Sequence, residues 1–296
     1  MQDTFIMLNR FFKKIPLFLT VLYVFSACNQ TPQAQSAMPT MPRYSTAVFP
    51  STKPITITVQ ETPADVWDVS DIDISTVNPD KKLLSFTFDD AVGKTLESLL
   101  AVFASFNETH PDAPAYATLF CNGAYIHNEN IHTLTAASAI GWELGNHAFS
   151  HTDLTTLPLE AQIEEIRQTD EILQRVDGKK THLFRAPYGK IEKSSREILQ
   201  IPVISWNVDT LDWAKKTEEE IYQTVMWKSY EGSIVLMHDG PTNTVEAVKR
   251  LLVDLYDAGF QVVSVSMLAK AHNCTLKNGS QYIRLRKNGT AYGRFP

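Results

Sequence analysis

The sequence predicts an α/β fold in which about seven parallel strands form a sheet or barrel with helices on the outside. From residue 83 onward, short apolar runs alternate with segments of helical periodicity, which is the pattern of repeated β–α units. Polar clusters follow five of the predicted strands, and in such folds the functional groups lie at the carboxyl ends of the strands. The composition, 44% hydrophobic and 20% charged, is that of a globular protein.

Short apolar runs bounded by polar or turn residues predict the individual strands. These runs are residues 83–88, 115–121, 142–146, 182–184, 203–206, 233–237 and 261–265. Apolar residues at helical spacing predict helices between them, among them residues 96–103, 131–140, 159–173 and 245–255. Gly178 and Gly259 follow two of these segments, and glycine is the residue that most often ends a helix.

The first 28 residues are predicted to be an export signal. Arg10, Lys13 and Lys14 form a basic stretch, and the apolar run 15–27 that follows has the length of a signal-peptide core. Small residues precede Cys28, which resembles a bacterial lipobox. We therefore expect a lipidated Cys28 that anchors the protein to a membrane. A plain secretory signal is the alternative, and both predict an exported protein.

Three further segments are predicted after the signal. Residues 29–66 are rich in Thr, Pro, Ser, Gln and Ala, which predicts a flexible tether. Residues 67–270 contain the β–α units and form the predicted functional domain. Residues 271–296 form a C-terminal extension, in which turn signals at 277–279 and 287–289 indicate a small hairpin or a loose end.

The charge and the cysteines narrow the functional classes. The net charge is -6 and there is no long basic run, so a nucleic-acid partner is not predicted. Besides Cys28, the chain contains Cys121 and Cys274. Cys121 lies in an apolar run, which favours a buried free thiol. A Cys121–Cys274 disulfide is permitted in an oxidising compartment and stays open at this point.

Two segments about sixty residues apart carry the side chains of a metal site. Asp89 and Asp90 lie where the first predicted strand ends, and a strand that breaks into a loop there lets both carboxylates reach one pocket. His147 and His151 follow the third predicted strand at positions i and i+4. One carboxylate and two histidines suit a hydrolytic zinc site, and the second carboxylate remains as a general base. The alternative to a metal site is a purely structural role, in which Asp89 and Asp90 cap the next helix and the two histidines are unrelated to them.

Three more polar clusters follow later strands. Arg185 precedes a tight turn at 187–189 and can pair with a carboxylate in the pocket. The segment 206–213 is dense in Trp and Asp, as sugar-binding grooves are. His238 ends an apolar strand, and histidine is suited to donating a proton to a leaving amine near neutral pH. Each cluster alone is compatible with a structural role, and their coincidence at strand ends favours one shared site.

In this order the five clusters resemble the motifs of the polysaccharide deacetylase family, also called carbohydrate esterase family 4. The resemblance covers residues 80–268. It implies a distorted (β/α) barrel with about seven parallel strands and a metal-dependent hydrolase. It implies that Asp90, His147 and His151 hold the metal, usually Zn²⁺, with another divalent ion such as Co²⁺ as an option.

The resemblance also implies the acid and base residues. Asp89 would be the base that activates the attacking water, and Arg185 would orient Asp89. His238 would be the general acid for the departing amine, with its pKa tuned by Asp212.

The groups expected to contact the acetyl group follow from the same resemblance. The backbone N–H of Tyr188 would help to bind the oxyanion, and Trp213 and Leu236 would line the pocket for the acetyl methyl. One departure concerns the first motif, where the family continues Asp-Asp-Gly-Pro and this chain has Ala91-Val92. The departure therefore bears on the geometry of the loop over the site and on the substrate range, and not on the metal ligands.

The predicted function is removal of N-acetyl groups from an extracellular or cell-wall polysaccharide that contains N-acetylglucosamine or a related sugar. An esterase that removes O-acetyl groups from xylan or another glycan is the first alternative. A non-haem iron enzyme, which also uses two histidines and a carboxylate, and a lipoprotein that binds glycans without turnover are the others. The expected partner is a polysaccharide or oligosaccharide, and we expect a monomer.

Overall fold

The computed structural model of the protein describes residues 66–289 and 291–293. The predicted export signal, the predicted lipidation at Cys28 and residues 29–65 of the predicted tether lie outside the described residues. Within the described ranges, no helix combines the length and the apolar character that crossing a bilayer requires.

The elements alternate between strands and helices along most of the described chain. The strands are β1 (Lys82–Ala91), β2 (Ala117–Cys121), β3 (Glu143–Asn146), β4 (Val203–Ile204), β5 (Val208–Asp209), β6 (Ile234–His238), β7 (Phe260–Val262), β8 (Gln281–Tyr282), β9 (Arg284–Leu285) and β10 (Ala291–Tyr292). The helices are α1 (Leu96–Thr109), α2 (Ile131–Ala139), α3 (Leu159–Asp177), α4 (Lys193–Leu199), α5 (Glu218–Lys228), α6 (Thr242–Asp257) and α7 (Val265–Ala271).

Parallel strands form the wall of a distorted barrel, which confirms the predicted fold class. The central strand β1 pairs with β2 on one side and with β6 on the other, while β7 pairs with its first residues. The wall continues from β2 to β3 and from β6 to β5. Beyond β3, Phe184 bridges Asn146 to Val203, and β4 then pairs with β8. Because these pairs are parallel, their carboxyl ends lie at the same end of the barrel.

The alternation of side chains along β1 determines what faces the barrel interior. Phe86 and Phe88 belong to the apolar cluster formed with α1 and α6. Thr87, between them, points to the opposite face, toward the barrel interior, and accepts a hydrogen bond from Arg185. Asp89, two residues further, points the same way. Burying a phenylalanine side chain contributes about 1.5–3 kcal/mol, so a one-residue slip that exposed both rings is strongly disfavoured.

Some predicted strands end earlier than expected. The fourth, at 182–184, is reduced to the single residue Phe184, which bridges to Asn146 and to Val203. The fifth ends at Ile204, and the unpredicted strand β5 follows, paired with β6. The seventh ends at Val262 because the Ser264 side chain accepts a hydrogen bond from the Met267 backbone and begins α7 instead.

The predicted C-terminal extension packs against the barrel. Its strand β8 pairs with β4, and β9 and β10 form an antiparallel pair. Tyr282 and Leu285 are buried in an apolar cluster that also contains Leu83 and Val263. The predicted boundary at residue 270 falls inside α7, so the extension and the preceding residues share a core.

Cys121 and Cys274 are buried free thiols. This confirms the interpretation of Cys121 as a buried free thiol, and no disulfide joins the pair. Burial raises the pKa of both thiols, that of Cys274 to about 11, so neither is a reactive thiolate near neutral pH.

Candidate active site and metal centre

The polar clusters meet in one pocket at the carboxyl ends of the strands. The pocket has a volume of about 480 Å³. It is lined by Asp89, Asp90, His147, His151, Tyr188, Trp206, Asp209, Trp213, Leu236 and His238. Arg185 and Asp212 lie behind it, and each is hydrogen-bonded to a residue of the lining. The structure therefore brings together every residue predicted for the pocket.

Asp89 and Asp90 both reach the pocket because the backbone leaves the strand conformation between them. Asp90 has a φ of 62°, in the left-handed region that non-glycine residues rarely occupy. In a regular strand the two side chains would point to opposite faces. The left-handed residue turns the second carboxylate toward the pocket, as the sequence analysis predicted.

Asp90, His147 and His151 have the arrangement of a metal site. One ligand atom from each lies within 4.8 Å of the others. The Oδ1 atom of Asp90 is 3.5 Å from Nε2 of His151, close to the roughly 3.4 Å that separates two ligands of a tetrahedral ion. Asp90 Oδ1 is also buried and has no hydrogen-bond partner. A buried carboxylate oxygen without a partner is costly, and a divalent cation would supply the missing interaction.

The ring of His147 is oriented by a backbone carbonyl. Nδ1 of His147 donates a hydrogen bond to the carbonyl oxygen of Arg185 at 2.8 Å. This bond fixes the tautomer and directs Nε2 toward the pocket. Burial lowers the pKa of His147, against the opposing effect of Asp89 and Asp90. A neutral imidazole with a free Nε2 is the form that binds a metal.

Asp89 is held as an ionised carboxylate by Arg185. Its Oδ1 accepts a hydrogen bond from Nη1 of Arg185 at 2.6 Å, and its Oδ2 lies 3.5 Å from Nε2 of His147. Burial alone would raise the pKa of Asp89. The positive charge of Arg185 and its hydrogen bond, together with the charge of His238, outweigh burial, and the pKa lies below its ordinary value. Asp89 therefore keeps one oxygen toward the metal site and accepts no proton in the resting state.

The Arg185 side chain is immobilised on every side. Nη1 also donates to Thr87, Nε donates to the carbonyl of Ile204 at 3.0 Å, and Nη2 donates to the carbonyl of Ser205 at 3.2 Å. The guanidinium stacks over the Phe120 ring, with its carbon 4.1 Å from the ring centroid. Burial lowers the pKa of Arg185, which nevertheless stays charged because guanidinium begins far above neutrality.

His238 and Asp212 form a second buried pair at the pocket, and His238 lies beside Asp89 in the register of β6 and β1. Nδ1 of His238 donates to Asp212 at 2.7 Å. The same carboxylate accepts hydrogen bonds from the backbone N–H groups of His238 and Trp213 and from the hydroxyl of Thr244. Burial lowers the pKa of His238, but the hydrogen bond to Asp212 and the charge of Asp89 raise it overall, to about 8. His238 is thus mostly protonated at neutral pH.

The rim of the pocket carries exposed aromatic side chains. Tyr188 is 60% exposed and Trp213 is 61% exposed, whereas Leu236 is buried in the wall. Tyr188 has a φ of 59° within the short 3₁₀ turn Pro187–Gly189. Unfavourable backbone conformations of this kind are found often at functional sites.

The role of Asp239 was missed by the sequence analysis. Its carboxylate accepts hydrogen bonds from the backbone N–H groups of Gly93 and Thr95 and from the Thr95 hydroxyl. These bonds hold the loop that follows Ala91-Val92. A Cβ atom at position 93 would collide with the Asp239 carbonyl, so the glycine is required. The only signal was the position of Asp239 directly after His238, because its partners lie more than 140 residues away.

The chain is similar to known deacetylases. A sequence model of the family described as "Polysaccharide deacetylase" matches residues 76–201. The peptidoglycan-N-acetylmuramic acid deacetylase PdaC of Bacillus subtilis (strain 168) is 30% identical over 65% of this chain. The bifunctional xylanase/xylan deacetylase of Cellvibrio japonicus is 27% identical over 60% of this chain. The solved structure "T48 deacetylase with substrate" is 31% identical, with a TM-score of 0.62, over 68% of this chain and 96% of that chain.

The extent of these matches differs. The chain spans 40% of the length of PdaC and 26% of the Cellvibrio protein, whereas it covers almost all of the solved T48 chain. The range of the family model includes Asp89, Asp90, His147, His151 and Arg185, and it ends before His238.

Proposed function

This chain belongs to the polysaccharide deacetylase family, carbohydrate esterase family 4, and we propose that it is a metal-dependent hydrolase of linear amides. Its proposed reaction is removal of N-acetyl groups from an extracellular or cell-wall polysaccharide with N-acetylglucosamine-type sugars. One observation carries the proposal. A carboxylate kept ionised, Asp89, and an imidazole kept protonated, His238, line the same pocket as a three-residue metal site. Groups whose pKa values are shifted apart in this way suit base and acid roles.

Asp90, His147 and His151 would hold Zn²⁺, with Co²⁺ as another option. Three protein ligands from carboxylate and imidazole leave an open position at zinc, as in catalytic sites. When bound, the ion lowers the pKa of a water molecule and polarises the acetyl carbonyl.

Asp89 would accept the proton of the attacking water through Oδ2. Its other oxygen, Oδ1, is occupied by the hydrogen bond from Arg185, so Oδ2 is the oxygen that faces His147 and the metal site. Arg185 keeps the carboxylate ionised and fixes its direction. General-base assistance of this kind contributes about 10²–10⁴-fold to the rate.

His238 would protonate the departing amine. Its Nδ1 is bonded to Asp212, so Nε2 is the nitrogen available to the pocket. The Tyr188 N–H would donate a hydrogen bond to the oxyanion formed at the acetyl carbonyl, and Trp213 and Leu236 would enclose the methyl group.

The test is acetate release from N-acetylglucosamine oligomers by the full chain, after chelation and again after zinc is restored. We expect release that is lost on chelation and returns with zinc, and that falls strongly in Asp89→Asn. Acetate release at the wild-type rate in Asp89→Asn, with the same zinc content, would contradict the mechanism.

An O-acetyl esterase is the second candidate, favoured by the similarity to a relative named as a xylan deacetylase. An alkoxide is a better leaving group than an amine and needs less help from an acid. If the esterase function is correct, acetylated xylan should be the preferred substrate, and His238→Ala should reduce its hydrolysis much less than it reduces hydrolysis of the amide. No hydrolysis of either substrate by the zinc-loaded protein, together with glycan binding, would support a binding role instead.

The proposed location is outside the cytoplasm, with a lipid on Cys28 as the anchor. Support comes from the signal-like first 28 residues of the sequence and from relatives named as peptidoglycan deacetylases. Metabolic labelling with a fatty acid should mark the wild type and not Cys28→Ala.

We further propose that the protein acts as a monomer, which the sedimentation coefficient of the soluble region would test.

A further inference from the structure

The two histidine ligands are held in different ways. The backbone N–H of His147 donates to the Cys121 carbonyl at 2.9 Å, and its ring donates to the Arg185 carbonyl. His147 is therefore fixed to the barrel wall. The His151 side chain is 22% exposed and lies edge-on to the Tyr188 ring, with centroids 4.6 Å apart. The position of His151 consequently depends on the backbone of the loop that carries it.

That loop has an unfavourable backbone conformation. Ala148 and His151 have φ values of 62° and 57°, in the left-handed region. Such conformations are unfavourable for non-glycine residues and persist only where surrounding contacts impose them.

Glu165, on α3, makes the contacts next to His151. Its Oε2 accepts hydrogen bonds from the backbone N–H groups of Phe149 at 2.9 Å and Ser150 at 2.7 Å. Its Oε1 accepts the Ser150 hydroxyl at 2.8 Å. One carboxylate thus binds both residues that directly precede His151. Hydrogen bonds to an ionised acceptor are about twice as strong as neutral ones.

The other end of the loop is tied to the same helix. Oδ1 of Asn146 accepts the Ala148 N–H at 2.9 Å. Nδ2 of Asn146 donates to the Ile166 carbonyl and to Asp170, both at 2.8 Å. Helix α3 therefore holds the loop at its beginning through Asn146 and at its end through Glu165.

We propose that Glu165 is a positioning residue for the metal ligand His151. It fixes the backbone from which His151 projects and so sets the affinity and geometry of the metal site, although it does not line the pocket. The inference rests on the metal site of the proposed function. Groups that orient a ligand from behind typically change metal affinity 10–100-fold when they are removed.

The test is zinc affinity, measured by competition with a chromophoric chelator, on the full chain and three variants. Glu165→Ala should bind zinc about 10–100-fold more weakly than the wild type. Glu165→Gln should fall between them, because its amide oxygen still accepts backbone N–H groups without the charge. Glu164→Ala is the matched control and should bind as the wild type does, since Glu164 bonds to Arg167 and Gln168 of its own helix.

A second readout separates positioning from general stability. The visible absorption of the Co²⁺-loaded protein reports ligand geometry, and it should change in Glu165→Ala and not in Glu164→Ala. A lower melting temperature in Glu165→Ala with unchanged zinc affinity and cobalt spectrum would overturn the inference and leave the proposed function intact. Failure of the wild type itself to bind zinc would overturn both.

Discussion

Two buried carboxylate–cation pairs flank the pocket, and they differ in the cation. Asp89 is paired with Arg185 at 2.6 Å, and Asp212 is paired with His238 at 2.7 Å. Arginine does not release its proton at accessible pH, so the first pair keeps its carboxylate ionised. Histidine titrates near neutrality, so the second pair can give up a proton. One kind of interaction therefore produces a base or an acid according to which partner can titrate.

The surroundings reinforce this difference. Arg185 is fully buried and bonded to the Thr87 hydroxyl and two backbone carbonyls, so it cannot turn toward the pocket. In the second pair it is the carboxylate of Asp212 that is enclosed, while the His238 side chain is 17% exposed. Each pair therefore presents to the pocket the member that the proposed reaction needs.

Removing the base should have the largest effect. Asp89→Asn keeps an oxygen for Arg185 and loses the proton acceptor, so we expect kcat to fall about 10²–10⁴-fold. The measurement is acetate release at equal zinc content, with the metal determined in each preparation. A loss of less than tenfold would show that the first pair does not supply the base.

Removing the arginine should lower the stability of the fold as well as disturb the base. Arg185→Met leaves Asp89 buried without its cation, and breaking a buried pair costs about 3–5 kcal/mol of unfolding free energy. In the double variant Arg185→Met/Asp89→Asn the loss should be smaller, because no uncompensated charge remains. Denaturant unfolding of the metal-free proteins measures both. Lys190→Met, which breaks the exposed pair with Asp153, is the control and should change little because solvent screens that pair.

The pair of His238 and Asp212 should control how the rate of acetate release falls at alkaline pH, that is, the alkaline limb of the pH–rate profile. Since the protonated form of His238 is the acid, the rate should fall as pH rises through the pKa of about 8. In Asp212→Asn an amide oxygen can still accept the hydrogen bond from His238, but the negative charge that raises the pKa is lost and burial still lowers it. We therefore expect the alkaline limb to move to lower pH by about one unit or more. An unchanged limb in this variant would assign it to another group.

The smallest effect is expected at Thr244. Its hydroxyl donates to Asp212 at 2.7 Å and is one of several donors to that carboxylate. Thr244→Val should reduce the unfolding free energy by about 0.5–1.5 kcal/mol, the usual net contribution of one hydrogen bond, because Asp212 keeps its other donors. The alkaline limb should move much less than in Asp212→Asn. A shift as large as that of Asp212→Asn would show that the hydroxyl, and not the carboxylate charge, controls His238.

Much of the site was predictable because its chemistry is carried by residue types at strand ends. Alternation along β1 explains why Asp89 faces the interior, and the apolar strand before His238 delivers that ring to the same end of the barrel. These are local features, readable from a few neighbouring residues. The short strand β5 was not predicted because it depends on pairing with β6. The helix α7 was missed because the run 261–265 was assigned to a strand, although the cap at Ser264 is a local signal.

The sequence by itself determined the order of the β–α units and the identity of the groups at their ends. Hydrophobic periodicity and side-chain chemistry are properties of short segments, and they survive without knowledge of the fold. Only the tertiary structure decided which groups support the site. Asp239 reaches Gly93 across 146 residues, and Glu165 reaches the loop of His151 from a helix that begins after it. Such pairings depend on packing between distant segments, and no short-range pattern specifies them.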